Sequence, residues 1–181
     1  MTLMINDDHW VTTARHVPSP FCDTRPADEM SLLVVHNISL PPGKFGGPYI
    51  EQLFTGKLNP NDDPYFEIIH QFRVSAHCLI RRDGEIVQFV PFNQRAWHAG
   101  VSKFEERDKC NDFSIGIELE GTDNIPYTDE QYQILTKLTQ MLMSRYPAIT
   151  RERVTGHEFI APVRKTDPGL SFDWLKYKKA L

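Results

Sequence analysis

The chain has 181 residues, 40% of them hydrophobic, which is enough for one sizeable core and hardly for two. Its 20 Lys+Arg against 24 Asp+Glu give a formal charge of −4, so composition supports no general electrostatic grip on nucleic acid or on an anionic membrane. No apolar run approaches the roughly 20 residues that span a bilayer, and the N-terminus turns acidic at Asp7 and Asp8 before a signal-peptide core can form, so a cytoplasmic protein is expected. Cys22, Cys78 and Cys110 are odd in number and widely spaced, which suits reduced thiols better than a disulfide framework or a zinc knuckle. No repeat, low-complexity tract or composition break marks a linker, so one domain is expected over 1–181, with no obligate protein partner evident.

Taken in chain order, Ser31 to His36 reads as an apolar strand. The stretch from Asn37 to Tyr65 is long, irregular and rich in Pro and Gly, with helical character only at Tyr49 to Phe54, and a loop of this length is expected to wall a binding site. Val74 to Arg81 and Glu85 to Val90 read as strands joined at Asp83-Gly84, a dipeptide that supplies the positive φ of a tight antiparallel hairpin. Phe113 to Glu120 is a further strand. Thr128 to Tyr146 reads as a helix, because Thr128 and Gln131 form a capping-box pair and Tyr132, Leu135, Leu138, Leu142 and Tyr146 recur every three or four residues. A short last helix is expected from Ser171 through Lys179. A hairpin and mixed strands without βαβ alternation point to an α/β fold, a mixed β-sheet flanked by helices.

Two of the seven histidines stand at strand ends, where a rigid element aims a side chain into a cleft. His36 closes the first strand, and His157 follows the short β-like run Val154-Thr155-Gly156. Downstream, the polar loop Arg164 to Gly169 holds Asp167 next to Pro168. Two histidines and an aspartate make a plausible catalytic zinc set, with a fourth position left for water. Glu118 and Glu120 share a strand face opposite Ile115, Ile117 and Leu119. They read either as the solvated side of an edge strand or as a carboxylate set beside a metal, able to take a proton from bound water. Lys165 is either a surface lysine or a cation aimed at a developing oxyanion. Trp97-His98-Ala99-Gly100 is either core plus turn or an aromatic platform. His77 and Cys78 point to opposite faces of a strand, so they form no nucleophile and base pair.

In order along the chain, Leu-Leu-Val-Val-His36-Asn-Ile-Ser, Arg73-Val-Ser-Ala-His77-Cys, Arg95-Ala-Trp97-His98-Ala-Gly, Cys110-Asn-Asp-Phe-Ser-Ile-Gly-Ile-Glu118 and Gly156-His157 through Lys165-Thr-Asp167-Pro-Gly resemble the AmpD-type N-acetyl-anhydromuramyl-L-alanine amidases, a group within the amidase and peptidoglycan-recognition superfamily. The resemblance runs from about Trp10 to Trp174. It implies one zinc held by His36, His157 and Asp167, a catalytic carboxylate at Glu118, and a transition-state cation at Lys165. It also implies a substrate groove involving Asn37, Arg73, Ala96 and Trp97. Lys109 stands where an arginine is expected, which would turn a bidentate grip on a substrate carboxylate into a point charge. Glu158-Phe159 replace a small or polar pair after His157.

The implied reaction is hydrolysis of the amide between the lactyl group of 1,6-anhydro-N-acetylmuramic acid and L-alanine, in soluble muropeptides recycled from the cell wall. Three rivals stand beside it. A non-catalytic peptidoglycan-recognition module would have lost a zinc ligand, and none is lost. An exported amidase acting on intact wall would need a signal, and a zinc peptidase cutting within the stem would differ only in pocket shape.

Overall fold

The structure, a computed structural model, describes residues 3–181. Its strands are β1 (Arg15–His16), β2 (Cys22–Thr24), β3 (Leu32–Ile38), β4 (Cys78–Ile80), β5 (Ile86–Gln88), β6 (Gln94–Ala96), β7 (Lys103–Phe104), β8 (Arg107–Asp108), β9 (Ser114–Glu120) and β10 (Val154–Gly156). Its helices are α1 (Tyr49–Phe54), α2 (Phe66–Ile69), α3 (Asp129–Arg145), α4 (His157–Ile160) and α5 (Trp174–Ala180). Six strands form one mixed sheet in the order β1-β5-β4-β9-β3-β10, and β2-β6 and β7-β8 pair separately.

The hairpin of β4 and β5 is antiparallel, with Gly84 at φ +87° in its turn and the Glu85 N–H donating to the Asp83 carboxylate at 3.0 Å. The strand expected over Val74 to Arg81 is regular only in its second half, because Ser75 bonds instead to the Trp97 and Phe21 carbonyls. β9 lies between β4 and β3 and is parallel to both, so it is a central strand and the edge-strand reading of Glu118 and Glu120 is corrected. Both carboxylates are buried. A second correction concerns topology. β9, α3 and β10 form a βαβ crossover, since β10 runs parallel to β3 on the side away from β9. Three residues of β10 are too short to announce themselves as a strand alternating with helix.

Period-two alternation along β3 and β9 sends Leu33, Val35, Ile115, Ile117 and Leu119 to one face, where they pack under Leu135, Leu138 and Leu142 of α3. Burying each of those leucines is worth roughly 1.5–3 kcal/mol. Thr128 caps α3 in the expected box, its hydroxyl accepting from Gln131 N while Gln131 Oε1 accepts from Thr128 N. On the opposite face, a second core joins Leu79, Val87 and Phe89 to α1, α2 and Leu40. The short helix α2 escapes the sequence reading because four residues carry no periodicity. None of the described helices is long and apolar enough to cross a membrane, and the three cysteines are unpaired. Cys78 lies in the α3-side core, and burial pushes its thiol up, which removes it as a nucleophile.

Candidate active site

The face of the sheet turned away from α3 carries His36 and Glu118 as register partners on adjacent parallel strands. His157 enters from the next position out, because β10 pairs Gly156 with Val35 and α4 starts one residue later. Gly156 is required here by space, since a Cβ would meet Trp174 at 2.8 Å and Pro168 at 3.0 Å. That close approach lets the loop bearing Asp167 fold back over β10, where the Glu158 N–H donates to the Asp167 carbonyl at 2.9 Å. Asp123 holds the loop from the other side, accepting from Thr166 Oγ1 at 2.6 Å and from Asn37 Nδ2 at 2.8 Å. Asn37 Nδ2 also reaches the Pro168 carbonyl at 3.1 Å, and the Tyr127 hydroxyl donates to the same oxygen at 2.7 Å.

The result is a convergence of three atoms. His36 Nδ1 lies 3.0 Å from His157 Nδ1 and 3.0 Å from Asp167 Oδ2, and His157 Nδ1 lies 3.1 Å from that oxygen. His157 Nε2 meets the Ala99 carbonyl at 3.0 Å, an acceptor only, so this nitrogen carries a proton and Nδ1 is the ring nitrogen turned inward. Burial holds His36 down to about 4, against the raising effect of Asp167, so it is a neutral imidazole at pH 7. Burial works to raise Asp167, but its hydrogen bonds with His157 and His36 outweigh that and keep it below the usual carboxylate range. Two imidazole nitrogens and a carboxylate oxygen converging in one spot are a donor set that could hold a metal ion.

Glu118 borders the same cavity, of about 660 Å³, with Lys165, Trp97 and Asn37. Its Oε2 is buried and has no hydrogen-bond partner among the described residues, and burial, reinforced by the Asp167 charge and opposed by Lys165, pushes its carboxyl well above the ordinary value. Glu120, two residues on, is satisfied by Arg81 at 3.1 Å and by the Gly46 N–H at 2.6 Å, so the pair divides into one carboxylate without partners and one held in the fold. The expected loop does wall the cavity, through Leu40, Leu53, Phe54 and Tyr65. Three expected groove residues stand outside it. Arg73 is exposed beyond the lining, Ala96 is fully buried in β6, and Lys109 is exposed at φ +60°, leading the turn Cys110–Asp112. Glu158 is half-buried beside Trp174, and Phe159 packs on that indole at 5.7 Å.

A family model described as N-acetylmuramoyl-L-alanine amidase matches residues 26–170. The chain belongs to this amidase family. It is 65% identical over 176 residues to the 1,6-anhydro-N-acetylmuramyl-L-alanine amidase AmpD of Citrobacter freundii, covering 97% of this chain and 94% of that one. A crystal structure of a selenomethionine AmpD derivative superposes with a TM-score of 0.95 at 63% identity, over 98% of this chain and 99% of that one. A Pseudomonas aeruginosa protein solved in complex with anhydromuramic pentapeptide superposes with a TM-score of 0.61 at 26% identity, over 98% of this chain and 66% of the other.

In this amidase the sequence reading passed over two contributors to the site. His98, named only within a core or platform segment, contacts His36, and Asp123 ties down the Asp167 loop. Neither sits in a pattern that periodicity would flag. His36 and His77 are buried and His98 is half-buried, and desolvation is the main cause that lowers all three and keeps them neutral, with His77 at about 3. An unfolded chain takes up protons on such histidines from about pH 6.5 downward while the folded one resists. The metal-free protein is therefore expected to lose stability as pH falls from about 6.5 towards about 4, read as a falling urea midpoint. A flat midpoint across that window would count against neutral buried histidines.

Proposed function

We propose that this chain is a zinc-dependent amidase that hydrolyses the bond between the lactyl carbonyl of 1,6-anhydro-N-acetylmuramic acid and the nitrogen of L-alanine in muropeptides, in peptidoglycan recycling. The observation that carries it is the convergence of His36, His157 and Asp167 on one point, with an unpartnered buried carboxylate, Glu118, in the adjacent register position. Zinc held by His36 Nδ1, His157 Nδ1 and Asp167 Oδ2 would supply a water with its pKa lowered to about 7 and polarise the carbonyl. Glu118 takes the proton as the water oxygen bonds to the lactyl carbon, and returns it to the alanine nitrogen as the C–N bond breaks. Lys165, half-buried in the cavity lining, sets its ammonium charge against the carbonyl oxygen as that oxygen becomes negative. Trp97 and the apolar wall from Leu40, Leu53, Phe54 and Tyr65 suit the compact anhydro ring.

The name of the Citrobacter relative and the ligand of the Pseudomonas structure support the anhydro sugar as the preferred form. The test is kcat/KM for matched anhydro and reducing muropeptides, with products identified by mass spectrometry with and without a chelator. A preference of about tenfold or more for the anhydro form is expected, since hydroxyls forced against apolar walls cost binding energy. A ratio near one would remove that substrate assignment, and full activity in metal-stripped protein would remove the zinc. Lys165→Ala is expected to lower kcat by about 10²–10³-fold with little change in KM. A change confined to KM would move Lys165 from the transition state to substrate recognition.

A further inference from the structure

His157 and His36 face the same problem, and the structure solves it twice. Each imidazole can turn its Nδ1 lone pair inward only if its one proton sits on Nε2 and finds an acceptor there. For His157 that acceptor is the Ala99 carbonyl. For His36 the atom opposite Nε2 is Nδ1 of His98, at 2.9 Å. His98 Nε2 in turn lies 3.1 Å from Ser114 Oγ. We infer that His98 is a positioning residue for the metal centre, accepting the Nε2–H of His36 and so fixing the ring with Nδ1 directed at His157 and Asp167. The inference rests on the zinc reading given above.

The assignment uses each atom once. With the His36 proton on Nε2, His98 Nδ1 is the lone pair, and the proton of His98 sits on Nε2 and donates to Ser114 Oγ. Two further features serve this placement. The His98 and Ala99 N–H groups both donate to Asn111 Oδ1, at 3.1 and 2.8 Å, so one side chain holds the segment that orients both histidines. Gly116 clears the sheet surface for the ring, since a Cβ there would lie 2.4 Å from His98 Cγ. The two ring planes stand at 88° with centroids 5.0 Å apart.

The test compares zinc affinity, by competition with a chromophoric chelator, in wild type, His98→Phe and His98→Asn. Phe keeps a planar ring and offers no acceptor, whereas Asn places Oδ1 near the position of the lost Nδ1. Zinc affinity is expected to fall about 10–100-fold in His98→Phe and to recover most of that in His98→Asn, with metal-free thermal unfolding of the variants as the folding control. Equal affinity in wild type and His98→Phe would overturn the inference alone, whereas wild type that takes up no zinc would overturn the metal reading and the inference with it. If His98→Phe does not fold, ¹⁵N NMR of zinc-loaded wild type decides. A His36 Nε2–H coupled across its hydrogen bond to His98 Nδ1 is the expected result, and a His36 Nε2–H without that coupling overturns it.

Discussion

Glu118→Gln is expected to lower turnover by about 10²–10⁴-fold while zinc content and substrate binding stay near wild type, because it removes only the group that carries the proton. Its stability should hold or improve at pH 7 in the metal-free protein. The carboxyl is buried, its Oε2 has no partner, and burial raises its titration, so the folded state resists an ionisation that the unfolded chain completes freely. That cost is present above the unfolded carboxylate range and disappears with the amide. Glu120→Gln should show the reverse. It weakens a buried ion pair with Arg81 and the acceptor for the Gly46 N–H, a loss of about 3 kcal/mol, at the low end because Arg81 keeps Glu51 at 2.7 Å. Urea unfolding and steady-state kinetics on the two variants separate the outcomes. Comparable activity losses with equal stability would mean that the division between the two carboxylates is wrong.

Asp167→Ala is expected to strip the centre of its one anionic ligand, so that the dialysed protein loses most of its zinc and its hydrolysis falls to background. The loop itself should stay in place. Thr166 remains on Asp123, the Pro168 carbonyl remains on Tyr127 and Asn37, and the Glu158 N–H still finds the backbone carbonyl of residue 167. The matched control is Asp173→Ala. Asp173 caps α5, its carboxylate accepting from Lys176 N at 2.8 Å, so its loss should cost about 1 kcal/mol of stability and leave zinc in place. Metal analysis after dialysis reads the difference directly. If both variants retain zinc equally, Asp167 is not the third ligand.

Much of this molecule was legible along the chain because local physics writes it there. The capping box and the three-to-four spacing of α3, the Asp83-Gly84 turn, and the alternation around Ile115, Ile117 and Leu119 are short-range signals that tertiary contacts did not override. His36, His157 and the loop of Asp167 could likewise be singled out one at a time, although β3 runs two residues past His36 and does not close there as expected. Their meeting at 3.0–3.1 Å could not, because 121 and 131 residues of chain separate His36 from the other two.

By itself, then, the sequence determined which residues alternate, which helix is capped, and which side chains carry metal-binding chemistry next to strands and loops. Tertiary structure alone decided what each of them faces. Strand order is non-local, and β9 is central because it enters between β3 and β4, two strands that lie far apart in the chain. That central position buries Glu118 and Glu120, two carboxylates that look alike in sequence, and gives one a partner in Arg81 while the other's Oε2 has none. The same packing brings His98 across Gly116 to His36 and leaves Arg73, Ala96 and Lys109 outside the cavity lining. The reason is physical: a period-two pattern specifies a face, but burial and hydrogen-bond partners come from neighbours that the pattern does not encode.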